Sequence, residues 1–165
     1  MRSIAYLLFS GWLFFGPAGS FAQENIQGLV KAAGCFIPMP EGVVVAIGRF
    51  SGAIHLPIGS HEPGESARET AARETREETG LDVTVGPLLK TFENNTVLLF
   101  LCKPKTPVSD YSKLSPVDGR EIAEVLVLDP VTMLNHDGRK ITNAWRFPDD
   151  RRLLIKLFDK YGRQN

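Results

Sequence analysis

The chain has 165 residues, about one domain's length, and its composition, 43% hydrophobic and 23% charged, is that of a globular protein. Its 19 basic and 19 acidic side chains balance, which excludes nucleic-acid binding through bulk electrostatics, because that needs a strong basic excess. There is no repeat, low-complexity tract or long like-charge run, so repeat arrays and charged disordered tails are excluded too.

The N-terminus reads as a secretory signal peptide over residues 1–22, which leaves 23–165 as a single domain. Arg2 is the only charge before Glu24, the apolar run Ile4 to Phe15 follows, and Ser20-Phe21-Ala22 supplies a small-x-small exit. The apolar run is shorter than the roughly 20 residues a bilayer-spanning helix needs. A retained anchor or a buried first helix is the alternative. The expectation is cleavage near Ala22 and a periplasmic or secreted protein with no membrane partner after cleavage. Two cysteines remain, Cys35 and Cys102, each in an apolar, strand-like stretch. They are either a disulfide of an oxidising compartment or two buried thiols. No Cys/His cluster has zinc spacing.

In chain order, Gly28 to Gly34 leads into a first strand with Cys35-Phe36-Ile37. Val43 to Ile47 is a β-branched, wholly apolar run between glycines, as in a buried strand. Ala53 to Leu56 is a further strand-like piece. Pro63-Gly64 is a turn, and Ser66-Ala67-Arg68-Glu69 matches a capping box that opens a helix running to about Thr79, with Gly80 at its left-handed end. On this helix Ala67, Ala71 and Thr75 share one small-residue face suited to a sheet. Leu81 to Val85 and Leu88 to Phe92 are strand segments around Gly86-Pro87; Thr96 to Cys102 and Val125 to Leu128 are two more, separated by a polar loop from Lys103 to Arg120. Asp149 or Asp150 caps a last helix through Tyr161, with Leu153, Leu154, Leu157, Phe158 and Tyr161 as its apolar stripe and Gly162 after it. This order predicts an α/β fold with a mixed sheet covered on both faces.

The first helix concentrates the chemistry. Glu74 and Glu78 are i, i+4 partners, and Glu77 is i+3 from Glu74, so three carboxylates point to one side. Such like charges repel, and a hard divalent cation such as Mg²⁺ or Mn²⁺ offsets the repulsion. Taken alone, the helix is also what a solvated face paired with Arg73 and Arg76 looks like.

The wider spacing separates the two readings. Gly59, five residues, Glu65, seven residues, then Arg73-Glu74-x-x-Glu77-Glu78-x-Gly80-Leu81 resembles the Nudix box, G-x5-E-x7-R-E-U-x-E-E-x-G-U with U aliphatic. Every charged and glycine position of the pattern is filled over residues 59–81, and the strand order extends a looser resemblance over about residues 30–162. Two positions depart: Thr75 stands at the first aliphatic place and needs a hydroxyl partner, such as a carbonyl one turn back; Ile58 stands where many relatives have a second glycine.

The resemblance implies a Nudix-like three-layer α/β/α sandwich and a metal-dependent pyrophosphohydrolase, cleaving a phosphoanhydride in a nucleoside diphosphate linked to another group. It implies Mg²⁺ or Mn²⁺ on Glu74 and Glu78, with Glu77 as a third ligand or close support, Glu65 nearby and the Gly59 region contributing a backbone carbonyl. Arg73 is expected to orient Glu74 rather than touch substrate. The base that takes the proton of the attacking water varies within the family; Glu121, with Glu124 close by, precedes a strand where relatives often supply it, and a solvated loop carboxylate is the other reading of Glu121.

His55, His61 and His136 stand isolated in sequence. Trp145 and Phe147 suit either base stacking or anchorage of the last helix, and Asn94-Asn95-Thr96 fits a glycosylation sequon if the source is a eukaryote. The expected partner is a small-molecule diphosphate and not nucleic acid; the oligomeric state is not set by the sequence. The alternative function is a Nudix-fold nucleotide-binding or regulatory module with weak turnover. An RNA-end pyrophosphohydrolase is a further enzymatic rival, disfavoured by neutral charge and the export signal.

Overall fold

The computed structural model describes residues 30–162; the signal-peptide reading of residues 1–22 lies outside them. Eight strands and two helices follow one another: β1 (Ala32–Phe36), β2 (Pro38–Met39), β3 (Gly42–Gly48), β4 (Ile54–His55), β5 (Ile58–Ser60), α1 (Ala67–Thr79), β6 (Val83–Phe92), β7 (Val97–Pro104), β8 (Ile122–Leu128) and α2 (Asp150–Tyr161). A 3₁₀ turn at Tyr111–Lys113 interrupts the polar loop between β7 and β8.

One sheet has the order β5-β1-β7-β6, with β1 and β7 parallel and the other pairs antiparallel. In the second sheet β3 pairs with β8 on one edge and with the short β2 and β4 on the other. The alternating side-chain directions of strands sort the core into two layers. Ala33, Cys35, Val44, Ala46 and Phe100 lie in the cluster that includes Ala71 of α1; Phe36, Val43, Val45, Leu99 and Leu126 lie in the cluster that includes Leu154 and Phe158 of α2. Both faces of β3 are therefore covered, which is why its sequence is an unbroken apolar run rather than an alternating one. The expected α/β/α sandwich is the fold observed.

Several details differ from the sequence reading. The two segments around Gly86-Pro87 form one strand, β6, whose register against β7 shifts between Val85 and Leu88 so that the Gly-Pro pair is absorbed as an irregularity. The short β2 and β5 carry no periodic signal and were not expected. Cys35 and Cys102 are joined in a disulfide between β1 and β7, with Cα atoms 5.5 Å apart.

Candidate active site

Helix α1 is fixed at both ends by its own sequence. Ser66 Oγ accepts from the Glu69 N–H, and Glu69 Oε2 accepts from the Ser66 N–H at 2.7 Å, completing the capping box. Gly80 takes φ 75° and returns its N–H to the Arg76 carbonyl; a Cβ there would lie 2.6 Å from the Ser115 carbonyl oxygen, so both the turn and the close approach require glycine. Thr70, Ala71, Thr75 and Thr79 form the buried face. The Thr75 hydroxyl, expected to bond one turn back, has no partner and is buried; it is Thr79 that bonds back, to the Thr75 carbonyl.

Arg73 stands at the centre of the polar face. Its Nε donates to Glu65 Oε1 (2.7 Å), one Nη to Glu74 (2.8 Å) and Glu77 (3.1 Å), and the other to the Ser60 carbonyl (2.8 Å) and Glu65 Oε2 (3.1 Å). A guanidinium has five N–H donors, and five acceptors are engaged, so Arg73 holds carboxylates and has no donor left for a ligand. Its guanidinium beside Glu65 pulls that carboxyl down to about 2. Glu65 also accepts from Thr70 Oγ1, which lies 2.8 Å from His61 Nδ1. His61 is thus tied into the scaffold under the box loop instead of standing free.

Gly59, on β5, lies directly under Glu74: a Cβ there would sit 2.0 Å from a Glu74 carboxylate oxygen. Any larger residue there would push the Glu74 carboxylate out of its place. Ile58, the other departure, is accommodated by Gly34, where a Cβ would meet the Ile58 side chain at 2.3 Å.

Glu74, Glu77, Glu78 and Gly59 line one cavity of about 1080 Å³ together with Arg73, His55, Glu121, Lys90, Arg120, Arg146 and Phe147. Glu78 is largely buried, and its Oε2 has no hydrogen-bond partner. Burial first, and the nearby Glu74 charge second, push the Glu78 carboxyl up to about 8; burial also raises Glu74, with Glu77 and Glu121 adding to it. His55, set aside as isolated in the sequence, comes within 4.0 Å of Glu78 Oε2 while its Nδ1 bonds the Leu56 carbonyl at 2.9 Å. Burial lowers its pKa and favours neutral imidazole.

Of the residues singled out from sequence, Glu74, Glu77, Glu78, Arg73, Gly59 and Glu121 meet at this cavity, and Glu65 supports it through Arg73. Glu124 pairs instead with Arg139. His136 stacks edge-on against Tyr111, away from the cavity lining. Trp145 packs with the α2 cluster, and Phe147 is an exposed part of the cavity wall. Sequence reasoning missed His55, Lys90, Arg120 and Arg146, for which no spacing signal exists.

Among the described residues no three His, Cys, Asp or Glu side chains are gathered closely enough to hold a metal ion; the carboxylates are ranged along α1, with Arg73 between Glu65, Glu74 and Glu77. The donor set nevertheless suits a hard divalent cation. All the donors are carboxylate oxygens, one is buried and orphaned, and two are held above their ordinary pKa, first by burial and then by neighbouring carboxylates.

A family model, the NUDIX domain, matches residues 28–147. The chain belongs to the NUDIX family and is a Nudix-type hydrolase of phosphoanhydrides, a family that generally uses divalent metals and acts on small-molecule substrates. No curated protein sequence matches it. Solved structures share the fold. A UDP-X diphosphatase is 21% identical, with 88% of this chain and 68% of that one covered and a TM-score of 0.58. An ADP-ribose pyrophosphatase from Streptococcus suis is 14% identical, covering 76% and 89%, with a TM-score of 0.56. A C. elegans Ap4A hydrolase is 18% identical, covering 79% and 97%, with a TM-score of 0.55.

Proposed function

We propose that this protein is an exported pyrophosphohydrolase that cleaves a small nucleoside-diphosphate derivative with Mg²⁺ or Mn²⁺. The observation that carries this reading is the cavity that Glu74, Glu77, Glu78 and Glu121 line together, with the buried Glu78 Oε2 unpartnered. Glu74, Glu77 and Glu78 would hold the cation, with Glu65 and the Gly59 region in support. When bound, the cation neutralises diphosphate oxygens and lowers the pKa of a water. Arg73 fixes the Glu74 and Glu77 carboxylates from behind. Glu121, which lines the same cavity from outside α1, accepts the proton of the attacking water. Lys90, Arg120 and Arg146 supply positive charge for the remaining substrate oxygens, and Phe147 offers an exposed ring against a base.

Export is supported by the signal-like residues 1–22 and by the pairing of the two remaining cysteines, since disulfides persist in oxidising compartments. Mature protein beginning near Gln23 is the expected N-terminal sequence. The test of function is phosphate release from ADP-ribose, a UDP-linked sugar and diadenosine tetraphosphate, with Mg²⁺ or Mn²⁺ and a secondary phosphatase. Metal-dependent release that collapses in Glu78→Gln supports the assignment. Equal activity in Glu78→Gln refutes the site, and diphosphate binding without turnover refutes the hydrolase.

A further inference from the structure

Glu121 is not on α1, and something else must fix its position relative to Glu74 and Glu78. It ends the loop that leads into β8, and that loop is held at two points. At the near end the Val117 N–H donates to the Glu77 carbonyl at 2.9 Å, docking the loop on α1. At the far end a single residue of the β3–β4 turn brackets Glu121: Arg49 Nε donates to the Gly119 carbonyl at 2.6 Å, an Arg49 Nη to the Ile122 carbonyl at 3.3 Å, and the Arg49 N–H to the Glu121 carbonyl at 2.7 Å. The three acceptors belong to residues on either side of Glu121 and to Glu121 itself.

The turn that presents Arg49 is closed on itself. Gly48 donates to the Ala53 carbonyl (3.0 Å), Gly52 to the Gly48 carbonyl (2.8 Å), and Asn143 ties the Gly52 carbonyl to the chain before α2 at 2.8 Å. Just beyond Glu121 the β3–β8 register slips: Ile47 faces Glu124, but Gly48 faces Ile122, leaving Ala123 unpaired. Such a bulge re-aims the chain at the end of a strand.

We infer that Arg49 is a positioning residue, whose guanidinium and backbone clamp the 117–122 loop so that the Glu121 carboxylate stays in the cavity that Glu74 and Glu78 also line. This rests on the hydrolase reading and on Glu121 as the base. Lysine cannot replace the clamp, because one ammonium on a flexible stem does not reproduce a planar fork spanning two carbonyls.

The experiment is a double-mutant cycle with the mature protein, Mg²⁺ and whichever of the three panel diphosphates is turned over fastest. Arg49→Ala and Arg49→Lys are each expected to lower kcat by about 10- to 100-fold, the scale of a small misplacement of a catalytic group, with KM within about threefold of native. In a Glu121→Gln background neither should lower kcat further, since residues acting as one unit are not additive. Amide exchange over residues 117–122 is expected to quicken in both Arg49 variants without global unfolding. Independent, multiplying losses in kcat, or exchange over 117–122 left unchanged, overturn the clamp. Full activity of Glu78→Gln would instead sink the underlying reading, and the exchange measurement still decides whether Arg49 holds the loop.

Discussion

The two helices wall the same cavity and are fixed in place by different means. Helix α1 is tied by polar contacts of defined direction: a reciprocal capping box, a left-handed glycine, a five-bonded arginine and a disulfide in the sheet beneath it. Helix α2 is held mainly by the burial of Leu154 and Phe158 and by Arg151 reaching the Pro130 and Val131 carbonyls. Asp149, at its N-cap position, makes no side-chain cap bond, contrary to the expectation from sequence. Hydrophobic burial is non-directional, so it places α2 as a wall, whereas carboxylates that must meet a cation need the fixed geometry of α1.

The largest effect expected on the α1 side is on turnover. Glu78→Gln should cut metal-dependent hydrolysis by more than about 100-fold, beyond what removal of a supporting outer-shell partner causes; a smaller loss in initial-rate assays would place the chemistry elsewhere. Next is the clamp under the helix. Reduction of Cys35–Cys102, or Cys102→Ser, is expected to cost about 2–4 kcal/mol in urea denaturation. A midpoint indifferent to reductant would remove the disulfide from the account of α1's rigidity.

Acid should weaken one of the contacts that hold α1. Glu65 has its carboxyl held at about 2 by Arg73, below the ordinary 4.5, so this contact stabilises the fold fully above pH 4.5 and is lost as pH falls from there through about 2. The stability gap between native protein and Glu65→Gln, followed by urea midpoints, should close over that window; a constant gap would mean that the pair contributes nothing through ionisation. Smaller still is the contrast in capping. Ser66→Ala is expected to cost about 1 kcal/mol and Asp149→Ala to stay within about 0.5 kcal/mol, and equal losses would erase the difference between the helices. The smallest effect is a gain: Thr75→Val keeps the shape and removes a buried, unpartnered hydroxyl, raising stability by up to about 1 kcal/mol in thermal melts.

What was legible in the sequence follows the same division. The box residues could be read because a helix converts spacing into direction, so Glu74, Glu77 and Glu78 share a side before any tertiary contact forms. Ser66, Glu69 and Gly80 announced both ends of α1 through local bonds. The halves of β6 looked separate because Gly86-Pro87 normally punctuates a strand, and only pairing with β7 carries it through. β5 was hidden because three residues have no period to detect, although Gly59 within it was marked by the box. His55, Arg146 and Arg49 were unreadable for a deeper reason: their roles arise from strands and turns distant in sequence that meet only in the folded chain. The Gly34–Ile58 fit is of the same kind, a departure at one position accommodated 24 residues away.

The disulfide also records the order in which the chain can close. Its two sulfurs belong to neighbouring parallel strands 67 residues apart, and parallel neighbours cannot be brought together by a hairpin. The intervening chain, with α1 and β6 in it, must make its crossover before β1 and β7 lie side by side, and contacts of such long range form slowly. Loss of free thiol during refolding therefore reports when these two distant stretches of chain first come within reach of one another, and gives this chain a covalent timestamp for that long-range encounter.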